Sequence, residues 1–226
     1  MFLPTRCPLC AALGPAPCGP CAGMLLRAPT VPHIAGCTSV TACYRYDAAA
    51  RSMMLAFKYR NRRDIVAFCA QALAGAASPV DPVTVDLVTV DLVTWAPSTA
   101  ARVRLRGFDQ AEVLARGVAR VLRVPARPAL RRVGAGHQTG LGAVARREGP
   151  VFVGRPRRLG GSRVLLVDDI ITTGSTLAQA AAALRMCGAT EVHARAVCWT
   201  PPRGAIRKEP YGPAAATRRA WQAGRT

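Results

Sequence analysis

Val164-Leu165-Leu166-Val167-Asp168-Asp169-Ile170-Ile171-Thr172-Thr173-Gly174-Ser175-Thr176 is the stretch that decides how this chain is read. Four successive apolar residues make a short strand buried on both faces, as in parallel sheets. Two carboxylates stand where that strand is expected to end. A turn of small hydroxylated residues around Gly174 follows, and the alanine-rich run from Leu177 to Met186 is a strong helix former. In this order the parts suit a sugar phosphate. Backbone N–H groups of residues 173–177 would face an anion with the helix dipole behind them. Hydroxyls of Thr172, Thr173, Ser175 and Thr176 add neutral donors. Asp168 and Asp169 would repel a phosphate they touched, so they are expected to one side, suited to sugar hydroxyls or Mg²⁺. A plainer reading makes the aspartates turn caps and Thr176 a helix N-cap. It accounts for strand, turn and helix, but not for the whole thirteen-residue pattern.

The chain has 226 residues, half of them hydrophobic, enough for one α/β domain and a small appendage. No apolar run approaches the ~18 residues of a membrane span. Met1-Phe2-Leu3-Pro4 leads directly into cysteines without a signal-peptide pattern, so a cytoplasmic protein is expected. The net charge is +19, carried almost entirely by arginine, with Lys58 and Lys208 the only lysines. Residues 101–163 hold 15 Arg against Asp109, Glu112 and Glu148, a segment charge of +12. Such a field suits a polyanion, either pyrophosphate or nucleic acid; a merely solvated basic face is the alternative.

Nine cysteines without an export signal argue for thiols or metal rather than disulfides. Cys7-x₂-Cys10 and Cys18-x₂-Cys21 have the spacing of a closed, structural Cys₄ zinc site, and the prolines and glycines among them suit knuckle turns. Redox use of a single CxxC is the rival. Cys69, Cys187 and Cys198 read as small core hydrophobes.

Residues 1–26 are therefore expected to form a zinc-ribbon-like module, with Ala28 to Pro32 a linker, 33–199 the main domain and 200–226 a disordered basic tail. Val40–Tyr46 predicts a strand, and Ala48–Tyr59 and Asp64–Ala77 predict helices. Val-Thr-Val-Asp-Leu occurs twice in residues 83–92. An odd repeat places equivalent residues on opposite faces of a strand, so Leu92–Trp95 is expected as the core strand and the first copy as slack. Asp109-x₂-Glu112 predicts a capping box opening a helix to about Leu122, with Val113, Leu114, Val118 and Val121 on its apolar side. Residues 125–162 read as a long Gly- and Arg-rich loop. Gly188 ends the helix after the turn, and Glu191–Trp199 alternates as a last strand. His137 reads as solvent-facing, while His33 and His193 belong to no visible constellation.

The 164–176 stretch closely resembles the signature with which type I phosphoribosyltransferases bind 5-phosphoribosyl 1-pyrophosphate (PRPP). The resemblance implies that Asp168 and Asp169 contact the ribose hydroxyls and that Thr172, Thr173, Gly174, Ser175 and Thr176 hold the 5′-phosphate. Purine-salvage members carry an Asp where this chain has Thr172, which counts against that branch. Trp95-Ala96-Pro97-Ser98, Arg106-Gly107-Phe108-Asp109-Gln110, Lys58-Tyr59, Gln138, Arg146-Arg147 and Phe152, together with the cysteines, resemble the ComF-like branch. Asp109 stands for that branch's Asn, and Gly149 for another Asn.

That likeness implies a parallel sheet flanked by helices with an N-terminal Cys₄ zinc module. It further implies a link to DNA uptake in competent bacteria, with competence helicase machinery as a possible partner. The implied reaction is displacement of pyrophosphate from PRPP by a nitrogen acceptor, with Mg²⁺ bridging pyrophosphate and ribose. Ligands of open α/β sheets collect beyond the strand C-termini, so Ala96, Pro97 and Ser98 are the candidate pyrophosphate loop. Arg104 or Arg106 would neutralise charge there, or else be solvated or helix-capping. Lys58 is either a site residue or surface. Two rival readings stay open: a module that binds single-stranded DNA, and a PRPP sensor without turnover.

Overall fold

The computed structural model describes residues 5–75, 89–133, 151–154 and 159–201. The first copy of the repeat, His137, Gln138, Arg146, Arg147, Gly149 and all but the first two residues of the expected tail lie outside them. Four parallel strands make the main sheet in the order β1 (Ser39–Arg45), β6 (Glu191–Trp199), β5 (Arg163–Ile171), β2 (Leu92–Trp95). The chain is thus an α/β protein. After the short N-terminal helix α1 (Gly19–Gly23), one face of the sheet is covered by α2 (Ala48–Tyr59), α3 (Ile65–Ala74) and α5 (Gln110–Leu122), the other by α6 (Ser175–Met186) and an antiparallel ribbon of β3 (Leu130–Val133) and β4 (Val151–Gly154).

Period-two alternation divides β5 between the two cores. Leu165 and Val167 join the cluster with α2, α3 and α5, while Val164 and Leu166 join the one with α6. All four are at most 1% exposed. β6 lies between β1 and β5, so its alternation is one of residue size rather than exposure. Ala194 and Ala196 share a cluster with Ala180 and Ala181 of α6. Gly117 does the same for α5: a β-carbon there would lie 3.0 Å from Ala70 Cβ and 3.1 Å from Val66 Cγ1 of α3.

Both sheet edges are partly covered. Arg27 bridges Tyr44 on the outer side of β1, and Ala126 bridges Val93 on the outer side of β2, which shields the unpaired backbone groups of edge strands. Within the segment read as a linker one residue is packed down, Val31, only 8% exposed.

α2 spans the expected residues, its N-cap Asp47 accepting from Ala50 N at 3.0 Å. α3 stops at Ala74 because Gly75 takes φ +78°. Four expectations are corrected. Asp109 caps α5, but Glu112 pairs with Arg116 one turn on, at 2.8 Å, so the reciprocal half of the capping box is not made. Val121 is 40% exposed; the buried stripe of α5 is Ala111, Leu114, Ala115, Val118 and Ala119. Residues 130–133 and 151–154 are strands and not loop; Gly154 lies so close to α6 that a β-carbon would clash with Cys187 Sγ. His193 is bound on both sides, Nδ1 to Ser39 Oγ and Nε2 to Glu191 Oε2, each at 2.8 Å, a chain that ties β1 to β6 at their N-terminal ends.

Candidate functional site

β2 stops at Trp95, opposite Val167, whereas β5 continues to Ile171 with β6 as its remaining partner. The carboxylates therefore do not follow the strand; they lie within its second half, beside the space that β2 leaves. This corrects the expectation that the strand ends at Asp168. Alternation sends the two side chains to opposite faces. Asp168 lines an open cup of about 190 Å³ together with Ile170 to Leu177, on the α6 side. Asp169 turns to the α2 side, where Lys58 Nζ is 2.7 Å from its Oδ2; the two side chains are 15% and 16% exposed. Lys58 is thus a partner of the acidic pair.

Burial pushes the Asp168 carboxyl up to about 7, and the charge of Asp169 adds to it; the Asp169 N–H, donated to Asp168 Oδ1 at 2.8 Å, and Lys58 oppose the rise. The turn itself is made by Gly174 at φ +80°, a conformation that favours glycine. α6 begins at Ser175 without a side-chain cap, so Thr176 is not the N-cap, and the plainer reading of the turn fails on that point. Thr173 Oγ1 donates to Ser175 Oγ at 3.1 Å, while Thr172, Thr173 and Ser175 are exposed in the cup's rim. Uncapped N–H groups, four hydroxyls and the positive end of a three-turn helix are features that suit an anion.

Across the gap, Asp109 holds the 95–98 turn. Ser98 N donates to Asp109 Oδ2 at 2.8 Å and Ser98 Oγ to Oδ1 at 3.3 Å. Burial raises the Asp109 carboxyl, against the N–H groups of Ser98, Glu112 and Ala111. The Asp that replaces Asn in the resemblance thus caps α5 and braces the turn.

Arg104 is exposed on the short helix α4 (Ala100–Arg106). Arg106 turns to Gln110 Oε1 at 2.8 Å and Tyr59 Oη at 3.2 Å, with its guanidinium over the Tyr59 ring. Sequence reasoning missed Arg132. From β3 it donates to Pro97 O at 3.3 Å and lies over the Phe152 ring. Burial and Arg102 lower its pKa, while Asp168 and Asp109 favour its charged form. Only a strand reading of Ala129–Val133 would have aimed that side chain at the site.

The four N-terminal thiols come together. Cys7, Cys10, Cys18 and Cys21 place their sulfurs all within 4.8 Å of one another. A tetrahedral zinc with Zn–S bonds of ~2.3 Å needs sulfurs about 3.8 Å apart, and Cys10 Sγ to Cys18 Sγ is 3.6 Å. The donor set fits Zn²⁺. Burial alone would raise the Cys7 thiol, but N–H groups of Cys18, Cys10 and Leu9 bring it to about 6; burial pushes Cys21 up. Ala16 and Leu25 of this region belong to the same core as α2 and α3.

Among the described residues no helix is long and apolar enough to cross a membrane. No curated protein matches the chain in sequence. Among solved structures the chain is similar to the glutamine phosphoribosylpyrophosphate (PRPP) amidotransferase from B. subtilis complexed with ADP and GMP. The identity is 22% and the TM-score 0.43, over 63% of this chain and 30% of that one. It is also similar to a purine phosphoribosyltransferase from Pyrococcus horikoshii Ot3 (18% identity, TM-score 0.40, 60% of this chain and 74% of that one). A third is an adenine phosphoribosyltransferase from Thermoanaerobacter pseudethanolicus (15% identity, TM-score 0.40, 62% and 83%). The chain thus spans about 30% of the length of the first of these. The family model described as "Phosphoribosyl transferase domain" matches residues 109–215, just under half of the chain. That stretch includes β5, the acidic pair, the turn and α6, and the fold around it is a parallel sheet flanked by helices, with a Cys₄ cluster at the N-terminus.

Proposed function

We propose that the protein binds Mg²⁺-PRPP at the C-terminal end of β5 and transfers its phosphoribosyl group to a nitrogen acceptor with release of pyrophosphate. One observation carries this reading: a carboxylate and a hydroxyl-lined, uncapped helix start share one cup, at the point where the neighbouring strand has stopped. In this reading residues 172–176 hold the 5′-phosphate through N–H groups and hydroxyls. Asp168 and Asp169 serve the ribose hydroxyls and the metal, and Lys58 keeps Asp169 oriented on the α2 side. The 96–98 turn, braced by Asp109, receives pyrophosphate. Arg132, tied to Pro97 O and within the field of Asp168, joins Arg104 and Arg106 as a candidate cation for the leaving group.

Mg²⁺, when bound, would offset the negative charge of the pyrophosphate. The chain's own part is positioning and electrostatics, which suits a reaction through an oxocarbenium-like transition state. The C1′–O bond to pyrophosphate breaks as the acceptor's lone pair forms the C1′–N bond, and the acceptor gives up a proton. Zinc at Cys7, Cys10, Cys18 and Cys21 would have a structural role, since four thiolates leave no open position.

The test is pyrophosphate release from Mg²⁺-PRPP across a panel of nucleobases and amines. Release with one acceptor, abolished by Asp168→Asn with Asp169→Asn, supports transfer. PRPP binding without release from any acceptor would make the protein a PRPP sensor. Absence of binding would end both readings.

A further inference from the structure

Gly174 owes its environment to a residue 140 positions earlier. A β-carbon built on Gly174 would lie 2.7 Å from Cδ1 and 3.0 Å from Cγ1 of Ile34, which is 8% exposed. Ile34 therefore occupies the space that a side chain at the turn would take. It belongs to a segment that wraps the edge of the sheet. Leu25 lies in the core under α2 and α3, residues 26–28 run beside β1, and Val31, Ile34 and Cys37 join the core under α6.

The same segment follows α6 toward its far end. A β-carbon on Gly36 would meet Ala181 Cβ at 3.2 Å. Arg185 donates from Nε to Gly36 O at 3.2 Å and from Nη2 to Thr38 Oγ1 at 2.8 Å. Thr38 N donates to Val192 O at 2.7 Å. Ile34 is thus held at the start of α6 by anchors along the helix and on β6. The turn's own side-chain bonds are confined to Thr173 and Ser175: Gly174 offers no cap, Thr173 Oγ1 donates to Ser175 Oγ at 3.1 Å, and Ser175 N reaches Thr173 Oγ1 only at 3.4 Å.

We propose that Ile34 is a positioning residue for the phosphate turn: by packing on Gly174 it keeps the N–H groups of residues 173–177 aimed into the cup. This rests on the reading of that cup as a phosphate site. It assigns to the N-terminal segment a part in ligand binding without any contact to the ligand.

The experiment is calorimetry with ribose 5-phosphate, which carries the 5′-phosphate alone, on wild type, Ile34→Val, Ile34→Ala, Gly174→Ala and the Ile34→Ala/Gly174→Ala pair. Affinity should fall about twofold for Ile34→Val and about tenfold for Ile34→Ala, following the packing atoms removed. Gly174→Ala should cost less affinity in the Ile34→Ala background than in wild type, because the clash is gone and only the strain of φ +80° persists. Graded loss with that non-additivity supports the proposal, and Ile34→Val keeps the gradation measurable if Ile34→Ala does not fold. Unchanged affinity in the Ile34 variants, or strict additivity, overturns it while wild-type binding preserves the proposed function. No binding of ribose 5-phosphate or Mg²⁺-PRPP by wild type overturns both.

Discussion

Asp168 stands between opposing influences: burial and the neighbouring Asp169 favour its protonated form, and Lys58 favours its charge. An aspartate in an unfolded chain titrates near ~4, and here the folded value is about 7. The folded state thus binds the proton more tightly. The stability this contributes is fully present below about pH 4 and is lost as the pH rises through about 7. Thermal unfolding from about pH 5 to about pH 8 should show wild type losing more stability than Asp168→Asn; parallel curves would contradict the assignment. Lys58→Met should destabilise the fold by about 2 kcal/mol, less than the ~3–5 kcal/mol of a fully buried pair, because both side chains still meet water. Equal denaturant midpoints would show the pair to be inert. The acids and the turn were legible because their chemistry lies within thirteen consecutive residues. The roles of Lys58, Arg132 and Ile34 were not, since each depends on a partner that only the folded chain brings near.

Elements with one strong local pattern read correctly from sequence. α2 has its Asp47 cap, β5 its apolar run, and β2 is the expected Leu92–Trp95, starting at the last residue of the second copy of the repeat. The β3–β4 ribbon escaped because its strands are only four residues each, two of them Arg in β3, and pair across a long separation. β6 was legible as a strand but not as a central one, because strand order comes from tertiary pairing. The α3–α5 contact belongs to this scale. Gly117→Val would drive a branched side chain into Ala70 and Val66 and should cost about 1–3 kcal/mol in denaturant melts. A change within ~0.5 kcal/mol, the range of ordinary surface substitutions, would mean that the helices are not in close contact there.

At the scale of the whole molecule, the N-terminal segment links three things: the thiol cluster, the outer edge of β1 and the turn at Gly174. Metal analysis of protein purified without chelator should give about one zinc per chain, lost on Cys10→Ser. Apparent binding energies of such sites are on the order of 10 kcal/mol. Because Ala16 and Leu25 share the core of α2 and α3, metal loss should also lower the melting temperature of the main domain. Protein without zinc would remove the module from the account. The cysteine spacing announced the cluster; its attachment to the core was hidden, since nothing in CxxC spacing says what the module rests on. The central claim is that the end of β5 and the start of α6 form one PRPP site, and calorimetry with Mg²⁺-PRPP on wild type and on Asp168→Asn/Asp169→Asn tests it most directly. The account predicts binding by wild type and none by the double variant, whose melting should still be cooperative. Equal affinity in the two, or no binding by wild type, would contradict it.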